Sequence, residues 1–237
     1  MHHYARRLRR RTLLLLLVIA STISLVPASA DADVAALTPR PMATVDPDGS
    51  LADFSPVWAV VEANGRWYVG GDFQTVAGES QPYLAAIEVS TGRLDQLFRP
   101  QVNGEVRSLA VSPDGTSIYV GGRFNNISGS WRSRLAKLDA VTGVVDPAFD
   151  PGASASVEAL VTDGTSLWAG GLFSTIGGTA SDHLAKLDAT TGAPDPLWTT
   201  TAGNKVLDLE LQGTTLYAAG NFNTLGTSPV SKIGRMD

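Results

Sequence analysis

A short pattern, Gly-Gly-x-Phe or a one-residue variant of it, occurs four times along this chain: Gly70-Gly71-Asp72-Phe73, Gly121-Gly122-Arg123-Phe124, Gly170-Gly171-Leu172-Phe173 and Ala219-Gly220-Asn221-Phe222. The second glycines stand 51, 49 and 49 residues apart. Thr91-Gly92, Thr142-Gly143 and Thr191-Gly192 keep the same step, and the run Leu-Ala-Lys-Leu-Asp at Leu135–Asp139 returns at Leu184–Asp188. A repeat of this length is one supersecondary unit that buries its apolar face only by stacking on its neighbours. The period therefore restricts the chain to architectures built from copied modules.

Each module carries short strand signals at regular spacing. In the second one, Val106–Val111 is followed by the turn Pro113-Asp114-Gly115, a strand over 117–120, a glycine-rich corner, a strand over 134–138, the turn Thr142-Gly143 and a fourth strand over 144–149. Asn64-Gly65, Asp114-Gly115, Asp163-Gly164 and Gln212-Gly213 fit hairpin connections that need positive φ, where glycine meets no steric penalty. At the Gly-Gly-x-Phe corner the backbone is expected to bulge or bend while the aromatic turns into the core. Beyond residue 30 no stretch sustains the i, i+3, i+4 apolar spacing of a helix. Four strands in about 49 residues match one propeller blade, so the fold class is all-β, a β-propeller of about four repeats. Residues 46–56 resemble the fourth strands of the middle units, and the last unit lacks that strand. The expected arrangement closes the ring by pairing this N-terminal strand with the last three strands, which would remove two sheet edges. A partial propeller, completed by a second copy or belonging to a longer protein, is the alternative.

The leader is read separately. Residues 1–30 hold five arginines (Arg6, Arg7, Arg9, Arg10, Arg11), no acid and a 14-residue, mostly apolar run over 13–26. Pro27-Ala28-Ser29-Ala30 follows with the small-x-small pattern of a cleavage site. This reads as a secretory signal peptide, because the apolar run is shorter than the roughly 20 residues that span a bilayer. Residues 31–45 read as a flexible lead-in and 46–237 as the propeller domain. Without the leader the balance is 13 basic against 23 acidic residues, a charge of −10 that disfavours nucleic acid and anionic lipid as partners. No cysteine is present, and His183 is the one histidine outside the leader. Thiol chemistry, disulfides and multi-histidine metal sites are thereby excluded.

Residues shared by every unit read as scaffold, and function is expected where one unit departs from the others. The variable slot between Gly-Gly and Phe holds Asp72, Arg123, Leu172 and Asn221. In the loop before the third strand, Trp131 and Arg132 could form an aromatic and cationic contact for a sugar, peptide or carboxylate. Asp72, Arg123, Asn221, Trp131 and Arg132 are the candidate ligand contacts, with no catalytic, cofactor or metal residue assigned. Asp182-His183 and the carboxylates Asp146, Asp150, Asp188 and Asp195 read as surface and turn residues. Trp198, six residues after Gly192, is similar to the docking tryptophan of quinoprotein propellers but reads as blade packing.

The repeat as a whole, with Ile118-Tyr119-Val120-Gly121-Gly122-x-Phe124, Leu135–Asp139, Thr142-Gly143 and Asp146-x-x-Phe149-x-Pro151, resembles the delta-60 repeat family of exported bacterial propellers over residues 46–237. That resemblance implies a propeller in an exported protein and no particular activity. The expected function is a secreted, non-enzymatic binding module for a protein or glycan, without cofactor. The alternatives are an extracellular propeller enzyme, quinoprotein-like or acting on polysaccharide, and a fragment of a longer propeller protein.

Overall fold

The computed structural model describes residues 55–236. The expected leader, the lead-in and most of the strand expected to close the ring lie outside the described residues. Those that are described contain no helix and form four successive modules of antiparallel sheet.

The first blade consists of β1 (Val57–Ala63), β2 (Arg66–Gly71) and β5 (Leu84–Glu88), with the two-residue hairpin β3 (Thr75–Val76) and β4 (Glu79–Ser80) inserted before β5. The second repeats this with β6 (Val106–Val111), β7 (Ser117–Gly122), hairpin β8 (Asn126–Ile127) and β9 (Ser130–Trp131), and β10 (Leu135–Asp139). The third has β11 (Val157–Thr162), β12 (Ser166–Gly171), β13 (Thr175–Ile176), β14 (Thr179–Ala180) and β15 (Leu184–Asp188). The fourth has β16 (Val206–Gln212), β17 (Thr215–Gly220), β18 (Thr224–Leu225), β19 (Ser228–Pro229) and β20 (Ile233–Met236). The glycine-rich corners thus contain small hairpins that strand propensity did not reveal. Each of the last three hairpins is also bridged to the segment entering its blade, as in Val102 with Ile127.

The expected fourth strand is reduced to a single bridge in each of the first three blades: Leu94 to Ile87, Val145 to Leu138 and Pro194 to Leu187. An aspartate ends it. Asp95, Asp146 and Asp195 each accept, through Oδ1, the N–H two residues on, at 2.7, 2.9 and 2.9 Å. This local turn competes with continued pairing and swings Phe98 and Phe149 into full burial.

The Gly-Gly corners work by close approach. None of Gly70, Gly71, Gly121, Gly122, Gly170 or Gly171 has positive φ, whereas the hairpin glycines Gly65, Gly115, Gly164 and Gly213 all do. A Cβ on the second glycine would lie closer than 3.0 Å to the carbonyl oxygen that precedes the inner strand, Pro56, Glu105, Ser156 or Lys205. A Cβ on the first would strike the next blade, since Val106 covers Gly70, Val157 covers Gly121 and Val206 covers Gly170. The bulge itself is on the partner strand, where the register shifts between Val57 and Ala59, Val106 and Ser108, Val157 and Ala159, and Val206 and Asp208.

Inner strands pack in series, β1 on β6, β6 on β11 and β11 on β16. Among the described residues β1 and β16 make no comparable contact, so these residues do not by themselves close a ring. The core lies between blades, with Tyr68, Leu84 and Phe98 meeting Val106 and Leu109 at the first interface and equivalent residues at the next two. Tyr68 donates its hydroxyl proton to the Ala140 carbonyl at 2.6 Å, and Tyr119 does the same to Ala189 at 2.6 Å. Val60, in the slot of Leu109 and Leu160, is 57% exposed against 6% and 8%, because among the described residues no other inner strand packs on that side of β1.

Candidate functional site

The bulge in each inner strand leaves one residue without a ladder partner: Trp58, Arg107, Glu158 or Leu207. An extra residue in a bulge re-aims its side chain away from the regular alternation. The slot between Gly-Gly and Phe lies at the same end of the blade, tied there by backbone bonds from Asp72 N–H to Pro56 O (2.9 Å), Arg123 N–H to Glu105 O (2.8 Å), Leu172 N–H to Ser156 O (2.9 Å) and Asn221 N–H to Lys205 O (3.0 Å). The residue before the inner strand, the bulge residue and the slot residue of every blade therefore share one rim.

Across the first three blades this rim carries a continuous ladder. The Arg107 guanidinium stacks 3.5 Å from the centroid of the Trp58 ring. Arg107 donates from Nε and a terminal nitrogen to one Glu105 oxygen, at 2.9 and 2.5 Å. Arg123 stands between Glu105 at 3.5 Å and Glu158 at 3.9 Å. Ser156 donates to Glu158 at 2.6 Å and fixes its carboxylate. The fourth blade continues the rim with Lys205, Leu207 and Asn221. A ladder of alternating charge with an aromatic end is suited to reading a partner surface, since stacked and ion-paired guanidinium groups keep a defined orientation.

Asp72, Arg123 and Asn221, expected from the sequence, all belong to this rim. Trp131 and Arg132 stand on and beside the hairpin β8–β9, which joins β7 to β10, and among the described residues no hydrogen bond or ion pair links them to the ladder. Arg132 is buried, donates to the carbonyls of Trp131 (2.7 Å) and Asp146 (3.1 Å) and faces Asp150 at 3.5 Å. The same slot in the first blade holds buried Gln81, which ties its hairpin to the carbonyls of Leu84 and Pro100. Arg132 is thus a strut between hairpin and outer edge, and Trp131 is left 64% exposed.

Trp58, Glu105, Arg107 and Glu158 were not singled out by sequence reasoning. The signal was present in the repeat register, because the position after the first valine of each inner strand changes from Trp to Arg to Glu to Leu. Asp188 binds the N–H groups of Thr190 and Thr191, Asp139 does the same for Val141 and Thr142, and Asp195 pairs with Lys186 at 3.0 Å. Hydrogen bonds from Thr142, Thr191 and Leu197 hold the carboxyls of Asp139, Asp188 and Asp195 below the usual range. These groups hold turns. Trp198 packs against the core between the third and fourth blades. Among the described residues no group of three or more acidic or histidine side chains is placed to hold a metal ion.

Stacked antiparallel blades, a core between them and a shared rim define a β-propeller repeat protein. Residues 62–85 and 113–149 match a β-propeller family described as a domain of unknown function, DUF5122. The chain is similar in fold to the WD40 repeats of RRP9 (13% identity, TM-score 0.51, 71% of this chain and 46% of that one) and to U3-55K (13%, 0.50, 71% and 47%). It spans about half the length of these two. It is also similar to the computationally designed Ika4 protein, with 13% identity, a TM-score of 0.52, 84% of this chain and 100% of that one covered. No curated protein matches the chain.

Proposed function

We propose that the chain is a non-enzymatic recognition module that binds a protein partner through the rim of its blade stack. The carrying observation is that residues differing between otherwise equivalent blades gather at one rim and interact there across three blades, from Trp58 to Glu158. Side chains that only built the blades would repeat with them, as the buried phenylalanines do. Protein is favoured over glycan because the described rim residues offer one aromatic platform, already stacked on Arg107, and alternating charges matched by peptide groups. Binding to a peptide array by the wild type and by Trp58→Ala with Arg107→Ala tests this. Loss of array signal in the folded double variant is the expected result. Equal binding by both, or loss only on changing Trp131, would move the site elsewhere.

The export reading extends this proposal to the cell exterior. Residues 1–30 direct secretion and the mature chain starts at Asp31, as N-terminal sequencing of the protein recovered from the medium or periplasm would reveal. A cytoplasmic product that retains Met1 overturns it.

A further inference from the structure

We infer that Arg123 is the anion-binding centre of this rim and that it takes a carboxylate of a peptide whose neighbouring side chain is apolar. The inference rests on the rim being the recognition surface.

Arg123 differs from the other rim cation of the second blade. Arg107 is stacked on Trp58, makes two hydrogen bonds to Glu105 and has a side chain only 20% exposed. Arg66, Arg99, Arg132 and Arg134 likewise donate hydrogen bonds within the protein. Among the described residues the Arg123 side chain donates none. Its charge is held between two carboxylates at 3.5 and 3.9 Å, beyond good hydrogen-bond length, and its side chain is 50% exposed. The base is nonetheless fixed, because the Arg123 N–H bonds to Glu105 O at 2.8 Å and Phe124 beside it is buried. A guanidinium with a fixed root and unspent donors is arranged to receive a planar anion through two parallel bonds.

The chemistry next to it selects among anions. In the third blade the slot equivalent to Arg123 holds Leu172, 38% exposed, and in the fourth the bulge slot of Glu158 holds Leu207, 44% exposed. Leu172 is tied through its N–H to Ser156, which holds Glu158 against Arg123. An apolar step therefore follows the cation along the rim. Glu105 and Glu158 already neutralise much of the local charge, so a phosphate with its higher charge would be repelled at close range, whereas a single carboxylate gains the hydrogen bonds with less repulsion. A peptide with an apolar residue beside a carboxylate satisfies both neighbours. The carboxylate comes from an acidic side chain or from the C-terminus.

Fluorescence anisotropy with labelled peptides tests this. The probes share one eight-residue sequence ending in Leu-Leu: the first has a free C-terminus, the second is amidated, and the third is extended by one glutamate after the leucines and amidated. Tighter binding of the first or the third than of the second is expected, and which one binds identifies the source of the carboxylate. Arg123→Gln should weaken that binding at least tenfold, Arg123→Lys should recover only part of it, and Leu172→Ser should weaken it several-fold. The thermal midpoint of each variant, read beside the binding, should stay near that of the wild type. Equal binding of all three probes, or binding indifferent to Arg123→Gln, overturns the inference. If binding still falls on Trp58→Ala in that case, the rim reading survives without the carboxylate. If no probe binds the folded wild type above background, the inference is overturned, and the peptide array decides the fate of the rim.

Discussion

At the scale of single residues, the same side chain has different work according to what its neighbouring blade supplies. Tyr68 and Tyr119 each reach into the next blade and donate to a buried carbonyl, while Tyr217 in the fourth blade occupies the same slot half-exposed. Replacing Tyr119 by Phe leaves the Ala189 carbonyl unsatisfied in the core and is expected to cost about 1–2 kcal/mol in urea denaturation. Tyr217→Phe should cost far less. Burial also pushes the Tyr119 hydroxyl up to about 12 from 10.0. Because the folded state resists its ionisation, this contribution is complete below pH 10 and is lost as pH rises toward 12. An alkaline stability titration should fall across that window, and less steeply in Tyr119→Phe, where the Tyr68 hydroxyl, also raised by burial, still contributes. Carboxylates act in the opposite sense. Asp114 is held down to about 2 from 3.8 by hydrogen bonds from the Ser112 hydroxyl and from Thr116, and Asp139 and Asp188 are lowered by Thr142 and Thr191. The turns they hold are fully stabilised above pH 3.8 and lose that support as pH falls toward 2, so acid unfolding monitored by circular dichroism should begin in that interval.

At the scale of the blade, close approach governs what the repeat tolerates. A Cβ at Gly170 would lie closer than 3.0 Å to Val206 Cγ1 of the next blade, whereas the fourth blade carries Ala219 in the equivalent slot. Gly170→Ala is expected to cost about 1–3 kcal/mol through overpacking. Ala219→Gly should cost under about 1 kcal/mol, the ordinary backbone-entropy penalty of glycine in a strand. Equal costs in chemical denaturation would mean that the glycine slot does not sense the neighbouring blade. Much of the blade was readable beforehand: the hairpin turns fall where the Asp-Gly and Asn-Gly pairs stand, and Gly65, Gly115 and Gly164 have the positive φ those turns require. The shortened fourth strand was not readable, because the run over 144–149 has strand composition and only the carboxylate of Asp146 bonding to Ala148 N–H ends its pairing. The hairpin β8–β9 was also missed, since two-residue strands leave no periodic signal.

For the molecule as a whole, stability comes from interfaces in series, and blades flanked on both sides should open last. β6 and β11 are covered by neighbours on either hand, while the fourth blade exposes Leu207 and leaves Ile233 62% exposed in the slot where Leu84, Leu135 and Leu184 are fully buried. Hydrogen exchange read by mass spectrometry should protect β7 and β12 most and β17 and β20 least. Protection that is uniform across the four blades would contradict a serial stack. The spacing of glycines, turns and valines by itself determined the module, its all-β character and the number of copies, because strand alternation and turn stereochemistry are local and recur at every copy. It also flagged Asp72, Arg123 and Asn221 as places where the copies differ. Which variable residues act together was decided only by the tertiary structure. Contacts within the second blade, to the carbonyl of Asp146 and to Asp150, make Arg132 a buried strut, while inter-blade packing brings Trp58, Glu105, Arg107, Arg123 and Glu158, drawn from three copies, onto one rim, because contacts between residues up to about fifty positions apart depend on how the blades pack.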